Sequence, residues 1–126
     1  MCRMLLSINP QHVDNIMSGK KKYEFRKVRC KENVDKIVIY ATSPVMQVVG
    51  EADVLDVIED SPETVWEMTC KQAGISKTFY DSYYQGKKKA VAFKLGNITK
   101  YEFPLSLSDF GIGFAPQSFM YVKTHI

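Results

Sequence analysis

The sequence has few of the residues that build metal sites and disulfide frameworks. It contains three widely spaced cysteines, Cys2, Cys30 and Cys70, with no C-x-x-C pair, and two histidines, His12 and His125, without neighbouring metal ligands. Structural zinc sites need clustered Cys and His, and an odd set of scattered cysteines does not make a disulfide framework. We therefore expect no metal and no cofactor, and unpaired thiols favour a reducing, cytoplasmic compartment.

No apolar run in the chain is long enough to cross a bilayer. The first one, residues 1–8, is shorter than a signal peptide and far shorter than the roughly 20 residues of a transmembrane helix. It is typical of a β-strand instead. We therefore expect a soluble protein with no membrane partner.

The chain also has no internal repeat, low-complexity tract or linker. Its 126 residues, 45% hydrophobic and 12% aromatic, suffice for one packed core, so residues 1–126 are expected to form a single domain. The formal net charge of +3 is only mildly basic. Such a charge is compatible with a polyanionic partner but does not require one.

Helix and strand signals alternate along the sequence. Asn9-Pro10, Ser61-Pro62 and Ser76 predict the starts of three short helices that end near Gly19, Gly74 and Gly86. Strand patterns fall in the following segments: 1–8, 22–28, 36–42, 47–58, 90–95, 98–105 and 119–122. Gly50 indicates a bulge, and Gly96-Asn97 indicates a hairpin turn. The pattern predicts an α+β domain around a curved sheet or barrel of about six or seven strands, with two or three short helices.

The segment from Gly19 to Arg26 concentrates charged groups at a helix end that runs into a strand. Arg26 has a planar fork for bidentate contacts, Lys21 is a point charge, and Glu24 can accept a hydrogen bond from an exocyclic amine. These groups suit an anion or base-edge binding site. The alternative is an ordinary exposed ion pair between Glu24 and Arg26, which lie two residues apart on one strand face.

Three blocks of sequence resemble the activating-signal-cointegrator homology (ASCH) domains, a branch of the PUA-like fold. Gly19-x-Lys21-x-x-Glu24-x-Arg26 matches the G-x-K-x-x-E-x-R signature of that family. Residues 39–44 followed by 49–51 match its continuation, and residues 116–119 are similar to its closing segment. The resemblance implies a PUA-like curved β-barrel with flanking helices and a cleft beside the signature strand.

The same resemblance places further polar residues at the cleft. Thr42 and Ser43 follow a central strand, and Gln117 and Ser118 belong to the closing segment, so all four are candidates for hydrogen bonds to a base or sugar. Alternatively, Ser43-Pro44 is a plain turn and Gln117 bonds the barrel backbone. Aromatic residues that could stack on bases, or equally pack in the core, are Tyr40, Phe79, Tyr80, Tyr83 and Tyr84. Lysines that could form a basic rim, or a plain solvated face, are Lys20, Lys22, Lys27, Lys31 and Lys87–Lys89, with Arg29 beside them.

Members of the family are regarded mainly as RNA or nucleic-acid binders, some small bacterial ones are acetylcytidine amidohydrolases, and a nuclease activity has been assigned to others. The amidohydrolases have a threonine nucleophile where this chain has Glu24, so the same mechanism does not transfer. We therefore expect a binding module, with a possible regulatory role, that recognises RNA, another nucleic acid or a nucleoside-like ligand through residues Lys21, Glu24, Arg26, Thr42, Ser43, Gln117 and Ser118. The alternative is a small hydrolase of a modified nucleoside or of RNA, with Lys21 and Glu24 as its catalytic groups.

Overall fold

The computed structural model describes residues 2–29, 33–113, 115–116 and 119–123. Its strands are β1 (Cys2–Ile8), β2 (Tyr23–Arg26), β3 (Lys36–Ala41), β4 (Gln47–Asp60), β5 (Ala90–Leu105) and β6 (Phe119–Lys123). Its α-helices are α1 (Pro10–Met17), α2 (Pro62–Thr69) and α3 (Lys77–Tyr83), and short 3-10 turns follow at Cys70–Gln72 and Leu107–Phe110. No helix in this described part of the chain has the length and apolarity needed to span a membrane.

The six strands form one curled sheet in the order β2-β5-β4-β3-β1-β6. Only the pairing of β1 with β3 is parallel among these neighbours, and α1 provides part of the crossover that a parallel pair requires. The other neighbours are antiparallel. The result is the α+β half-barrel with three flanking helices that the sequence predicted.

The predicted hairpin turn at Gly96-Asn97 is wrong. Both residues lie inside β5, which runs without a turn from Ala90 to Leu105 and pairs along β4. Gly96 lies beside the exposed side chain of Leu55 on β4, and a Cβ added there would lie 2.8 Å from Cδ2 of Leu55, which would have to move. The chain therefore has six strands rather than seven in its described part.

The predicted bulge at Gly50 is present. Consecutive β3 residues Ile39 and Tyr40 pair with Gly50 and Val48, so Val49 is the extra residue on β4. A Cβ on Gly50 would lie 2.5 Å from the carbonyl oxygen of Thr99, so only glycine allows β5 to pass this closely.

The helices pack on the sheet through their apolar faces and enclose β2. α1 buries Val13 and Ile16 against the main core. A second core under α2 and α3 contains Tyr23, Phe25, Val65, Ala73, Tyr80, Tyr84, Ala90 and Ala92. The side chains of Ser61 and Ser76 accept hydrogen bonds from backbone N–H groups at the starts of α2 and α3. Lys21 bonds the backbone of α1, and Tyr23 and Phe25 pack against Tyr80 of α3. Residues 21–25 therefore lie between α1 and α3.

Candidate functional site

Backbone hydrogen bonds fix Lys21 between α1 and the turn that follows α2. Its N–H donates to the carbonyl of Asn15 at 2.9 Å, and the N–H of Lys22 donates to the carbonyl of Gln72 at 2.9 Å. The Lys21 residue is only 3% exposed. A lysine in a run of three is expected to be solvated, so this burial comes from the tertiary packing.

Glu24 lies between two cations. Its Oε2 accepts from Nη2 of Arg26 at 2.8 Å and from Nε at 3.1 Å, and its Oε1 lies 3.9 Å from Nζ of Lys21. Glu24 is 6% exposed, so the pairing with Arg26 that the sequence allowed exists but is buried rather than on an open edge. Two cations therefore share one carboxylate.

Backbone carbonyls orient the two cations further. Nζ of Lys21 donates to the carbonyl of Ala73 at 3.2 Å and lies 4.7 Å from the ring centre of Phe25. Nη2 of Arg26 also donates to the carbonyl of Ser7 at 3.0 Å. Burial lowers the pKa of Lys21 below its ordinary value, Glu24 opposes this shift, and the charge of Arg26 adds to it.

These charged groups form one wall of a cavity of about 160 Å³, which we call the cleft. Its other principal walls are His12 from α1 and Phe79 and Tyr83 from α3. The volume is several times the roughly 30 Å³ of one water molecule and is small beside the sites of larger ligands. The cleft thus presents charged hydrogen-bonding groups opposite aromatic rings and suits a small, flat, polar ligand.

His12 is a cleft residue that sequence reasoning missed. Its place on α1 suggested exposure, but the side chain is half-buried, and its ring meets the ring of Phe79 at a centroid distance of 5.3 Å and an angle of 63°. Nδ1 is buried and has no hydrogen-bond partner in the described part of the chain. Burial lowers the pKa of His12, and the charge of Lys21 lowers it further. Both effects favour the neutral imidazole.

The polar residues predicted from the strand-end loop lie beside the cleft and not in its wall. Oγ1 of Thr42 donates to Oδ1 of Asn9 at 3.2 Å, and Asn9 lines the cleft, whereas Thr42 and Ser43 do not. Asn9 thus bonds Thr42 instead of capping α1 through its side chain. Gln117 and Ser118 lie outside the described residues.

Ser7 is a second cleft residue that the sequence did not indicate. It lines the cavity, and its Oγ donates to the carbonyl of Pro116 at 2.7 Å. Met4, Leu6 and Ile8 of β1 pack in the main core, so Ser7 lies on the opposite face of the strand, together with the buried Leu5. The contact brings Pro116 to the rim of the cleft.

The five candidate aromatic residues divide into two groups. Tyr40, Tyr80 and Tyr84 are buried in the core, and the hydroxyl of Tyr84 donates to the carbonyl of Arg26 at 2.8 Å. Phe79 and Tyr83 line the cleft. Only these last two rings are placed to stack on a ligand there.

Exposed cations surround the outer part of β2. Nζ of Lys27 lies 4.6 Å from the ring centre of Tyr83, and Lys20 and Lys22 are exposed. Arg29 pairs with Glu59 at 3.6 Å, the lysines of residues 87–89 are exposed, and Lys31 lies outside the described residues. In the described part of the chain, no group of three or more His, Cys, Asp or Glu side chains could hold a metal ion.

The fold and the sequence from β1 to β5 correspond to one domain family. The model of the ASCH domain matches residues 6–103, and the chain belongs to the ASCH domain family. A crystal structure of ASCH from Zymomonas mobilis superposes with a TM-score of 0.87 at 29% identity, over 96% of this chain and 87% of that one. The PUA-like fold inferred from the sequence is thereby confirmed.

Two named proteins have sequences similar to this chain. An ASCH domain-containing ribonuclease of Zymomonas mobilis is 35% identical over 92 residues, which are 72% of this chain and 62% of the relative. The large ribosomal subunit protein uL22 of Ureaplasma parvum is 33% identical over 121 residues, which are 95% of this chain. The chain spans only 39% of the length of that uL22 protein.

Proposed function

We propose that this ASCH domain binds RNA by taking one unpaired base into the cleft between β2, α1 and α3. The observation that carries the proposal is the cluster of Lys21, Glu24 and Arg26 in the cavity wall, in which Lys21 and Glu24 are buried and Arg26 is partly buried. Burying charges has a desolvation cost that their attraction often does not recover, so such a cluster is weak evidence for stability. Its position in an aromatic-walled cavity supports a role in holding a ligand.

The chemistry of the walls matches the edge and the faces of a nucleobase. Glu24 can accept a hydrogen bond from an exocyclic amine through Oε1, and Arg26 and Lys21 can donate to ring carbonyl oxygens. Tyr83 and Phe79 provide π faces, and stacking of a base on an aromatic side chain contributes about 1–3 kcal/mol. The exposed lysines near β2, such as Lys27, would contact backbone phosphates.

The relative named a ribonuclease supports RNA as the ligand class. The uL22 match does not add to this, because an ATP synthase subunit alpha of the same organism matches this chain at 32% identity, also over 121 residues. The mild positive charge of the chain, +3, is compatible with a polyanion. None of these names assigns residues, so the role of the cleft in this chain rests on its geometry.

A second candidate function is hydrolysis of RNA or of a modified nucleoside in the same cleft. The observation that favours it is the position of Lys21 and His12 in the wall of one cleft, where burial lowers the pKa of each and so favours its proton-accepting form. Glu24 lies 3.9 Å from Nζ of Lys21 and could exchange a proton with the same ligand group. The relative named a ribonuclease agrees with this chemistry.

Binding is tested by fluorescence anisotropy with labelled single-stranded RNA, duplex RNA and single-stranded DNA at about 50 and about 200 mM salt. The variant is Lys21→Met, and the matched control is Lys77→Met, which removes an exposed lysine paired with Asp81 outside the cleft. We expect salt-sensitive binding of single-stranded RNA that weakens at least tenfold in Lys21→Met and stays unchanged in the control. Equal binding by the two variants, or no binding by the unmodified protein, contradicts the proposal.

Hydrolysis is tested by incubating the same RNA, and separately an acylated cytidine, with the unmodified protein and with Glu24→Gln. Gel electrophoresis and chromatography detect the products. Turnover that disappears in Glu24→Gln, under conditions in which circular dichroism shows that the variant is folded, supports the second function. Binding without turnover supports a binding module alone.

A further inference from the structure

A second cavity lies next to the cleft and shares part of its wall. This side cavity has a volume of about 230 Å³ and lies between α1 and the start of α3. His12, Ile75 and Phe79 line both cavities. The two spaces are therefore neighbours that a single extended ligand can occupy together.

The two cavities differ in charge. Lys21, Glu24 and Arg26 contribute to the cleft, whereas the described lining of the side cavity has no carboxylate, lysine or arginine. Its polar groups come from Gln11, Asn15 and Ser76, which are uncharged hydrogen-bonding residues. The side cavity thus suits a neutral polar group such as a base or ribose, and it offers no cation for a phosphate.

His12 lies at the boundary between the cavities, and its tautomer follows from its surroundings. Nδ1 is buried without a partner, and an unpaired buried N–H is rarer in proteins than an unpaired buried acceptor. A neutral ring with its proton on Nε2 leaves only an acceptor unpaired at Nδ1, and we infer this tautomer. His12 would then offer a ligand one N–H donor at Nε2.

Asn15 connects the floors of the two cavities. Its carbonyl accepts from the N–H of Lys21 at 2.9 Å, and its Nδ2 donates to the carbonyl of Gly74 at 3.4 Å. Lys21 belongs to the cleft, and Gly74 belongs to the side cavity. Asn15 of α1 thus bonds one lining residue of each cavity and fixes the position of the cleft relative to the side cavity.

We propose that the cleft and the side cavity form one site for two consecutive nucleotides of a single RNA strand, with His12 and Phe79 as the ridge between them. The inference rests on the proposed RNA binding and specifies its ligand. The charged cleft takes the first base, and the neighbouring cavity supplies an uncharged polar space for the second. Phe79 is 43% exposed, so its ring is accessible to a ligand at the ridge.

The proposal is tested by calorimetric titration with a nucleoside monophosphate, a dinucleotide, a trinucleotide and a ten-nucleotide RNA. We expect affinity to rise at least tenfold from mononucleotide to dinucleotide and by less than threefold from dinucleotide to trinucleotide. Binding of the ten-nucleotide RNA without a step at the dinucleotide overturns the two-nucleotide site and leaves RNA binding intact. Failure of all four ligands to bind overturns both proposals.

A pair of variants locates the second nucleotide. Gln11→Glu adds a negative charge to the side cavity, and Gln85→Glu makes the same change at an exposed residue outside both cavities. We expect the ratio of dinucleotide to mononucleotide affinity to fall at least fivefold in Gln11→Glu and to stay unchanged in Gln85→Glu. The same ratio in both variants places the second nucleotide elsewhere and overturns the proposal.

Discussion

Arg26 holds Glu24 through a single carboxylate oxygen. Nη2 and Nε of Arg26 donate to Oε2 of Glu24 at 2.8 and 3.1 Å, so Oε1 is turned towards Lys21. The carboxylate therefore has one oxygen engaged in a close pair and one at 3.9 Å from a second cation. This asymmetry leaves Oε1 as the oxygen that a ligand can engage in the cleft.

Replacing Glu24 by glutamine is expected to destabilise the fold. The change removes the negative charge that compensates the buried Lys21 and weakens the close pair with Arg26, and breaking a buried ion pair in this way costs about 3 kcal/mol or more. Urea unfolding measures the free energy. The control is Glu59→Gln, which breaks the exposed pair with Arg29 and is expected to cost less than about 1 kcal/mol. Equal losses in the two variants would contradict the importance assigned to the buried cluster.

Replacing Gly74 by alanine is expected to displace Lys21. Gly74 has φ +69°, and an added Cβ would collide with Cβ and Cα of Lys21. Gly86 has φ +76° with open space around it, so Gly86→Ala carries only the backbone cost of about 1 kcal/mol. We expect Gly74→Ala to lose about 1 kcal/mol more than Gly86→Ala in urea unfolding, since overpacking adds about 1–3 kcal/mol. Weakened RNA binding should accompany Gly74→Ala alone.

Removing the aromatic ring of Tyr83 is expected to weaken RNA binding. Tyr83 lines the cleft and lies under Nζ of Lys27 at 4.6 Å, so Tyr83→Leu removes a stacking face from the site. The loss should be about 1–3 kcal/mol by fluorescence titration. Phe103→Leu is the control, because Phe103 is a 76% exposed aromatic residue outside the cleft. An affinity unchanged in Tyr83→Leu would exclude stacking at this position.

Acidification is expected to destabilise the fold partly through His12. Its pKa in the folded state is lowered by burial and by Lys21, opposed by Glu24 and lowered slightly more by Arg26, whereas the unfolded chain keeps a value near 6.5. Below that pH the unfolded state binds a proton that the folded state disfavours, so stability falls as pH decreases. Thermal unfolding between about pH 7.5 and about pH 5 should show a shallower pH dependence in His12→Gln. Identical slopes in both proteins would show that His12 is not held neutral.

The sequence predicted most elements of the fold because their signals are local. Serine or asparagine followed by proline marks the starts of α1 and α2, and the apolar run of β3 marks a central strand buried on both faces. Gly96-Asn97 was misassigned because a glycine inside a strand has the same local signature as a turn glycine. The pairing of β4 with β5, which keeps these residues in a strand, is not visible in the local sequence.

The candidate site was predicted in part for a similar reason. Lys21, Glu24 and Arg26 lie within one short segment, so a motif could find them, and the structure brings them together. His12, Ser7 and Tyr83 reach the cleft from three other elements, and their convergence follows only from packing. The burial of Lys21 likewise depends on Ala73 and Gly74, about fifty residues away along the chain.

The most direct test of RNA binding in the cleft is chemical-shift mapping of the labelled protein with a short single-stranded RNA. If RNA binds in the cleft, the largest amide shifts on titration fall at β2, the first turns of α1, and α3, including Arg26, His12 and Tyr83. Shifts centred instead on the groove lined by Met17, Val45 and Lys100, on another face of α1, would contradict RNA binding in the cleft. So would a saturating titration that leaves the amides of Arg26, His12 and Tyr83 unmoved.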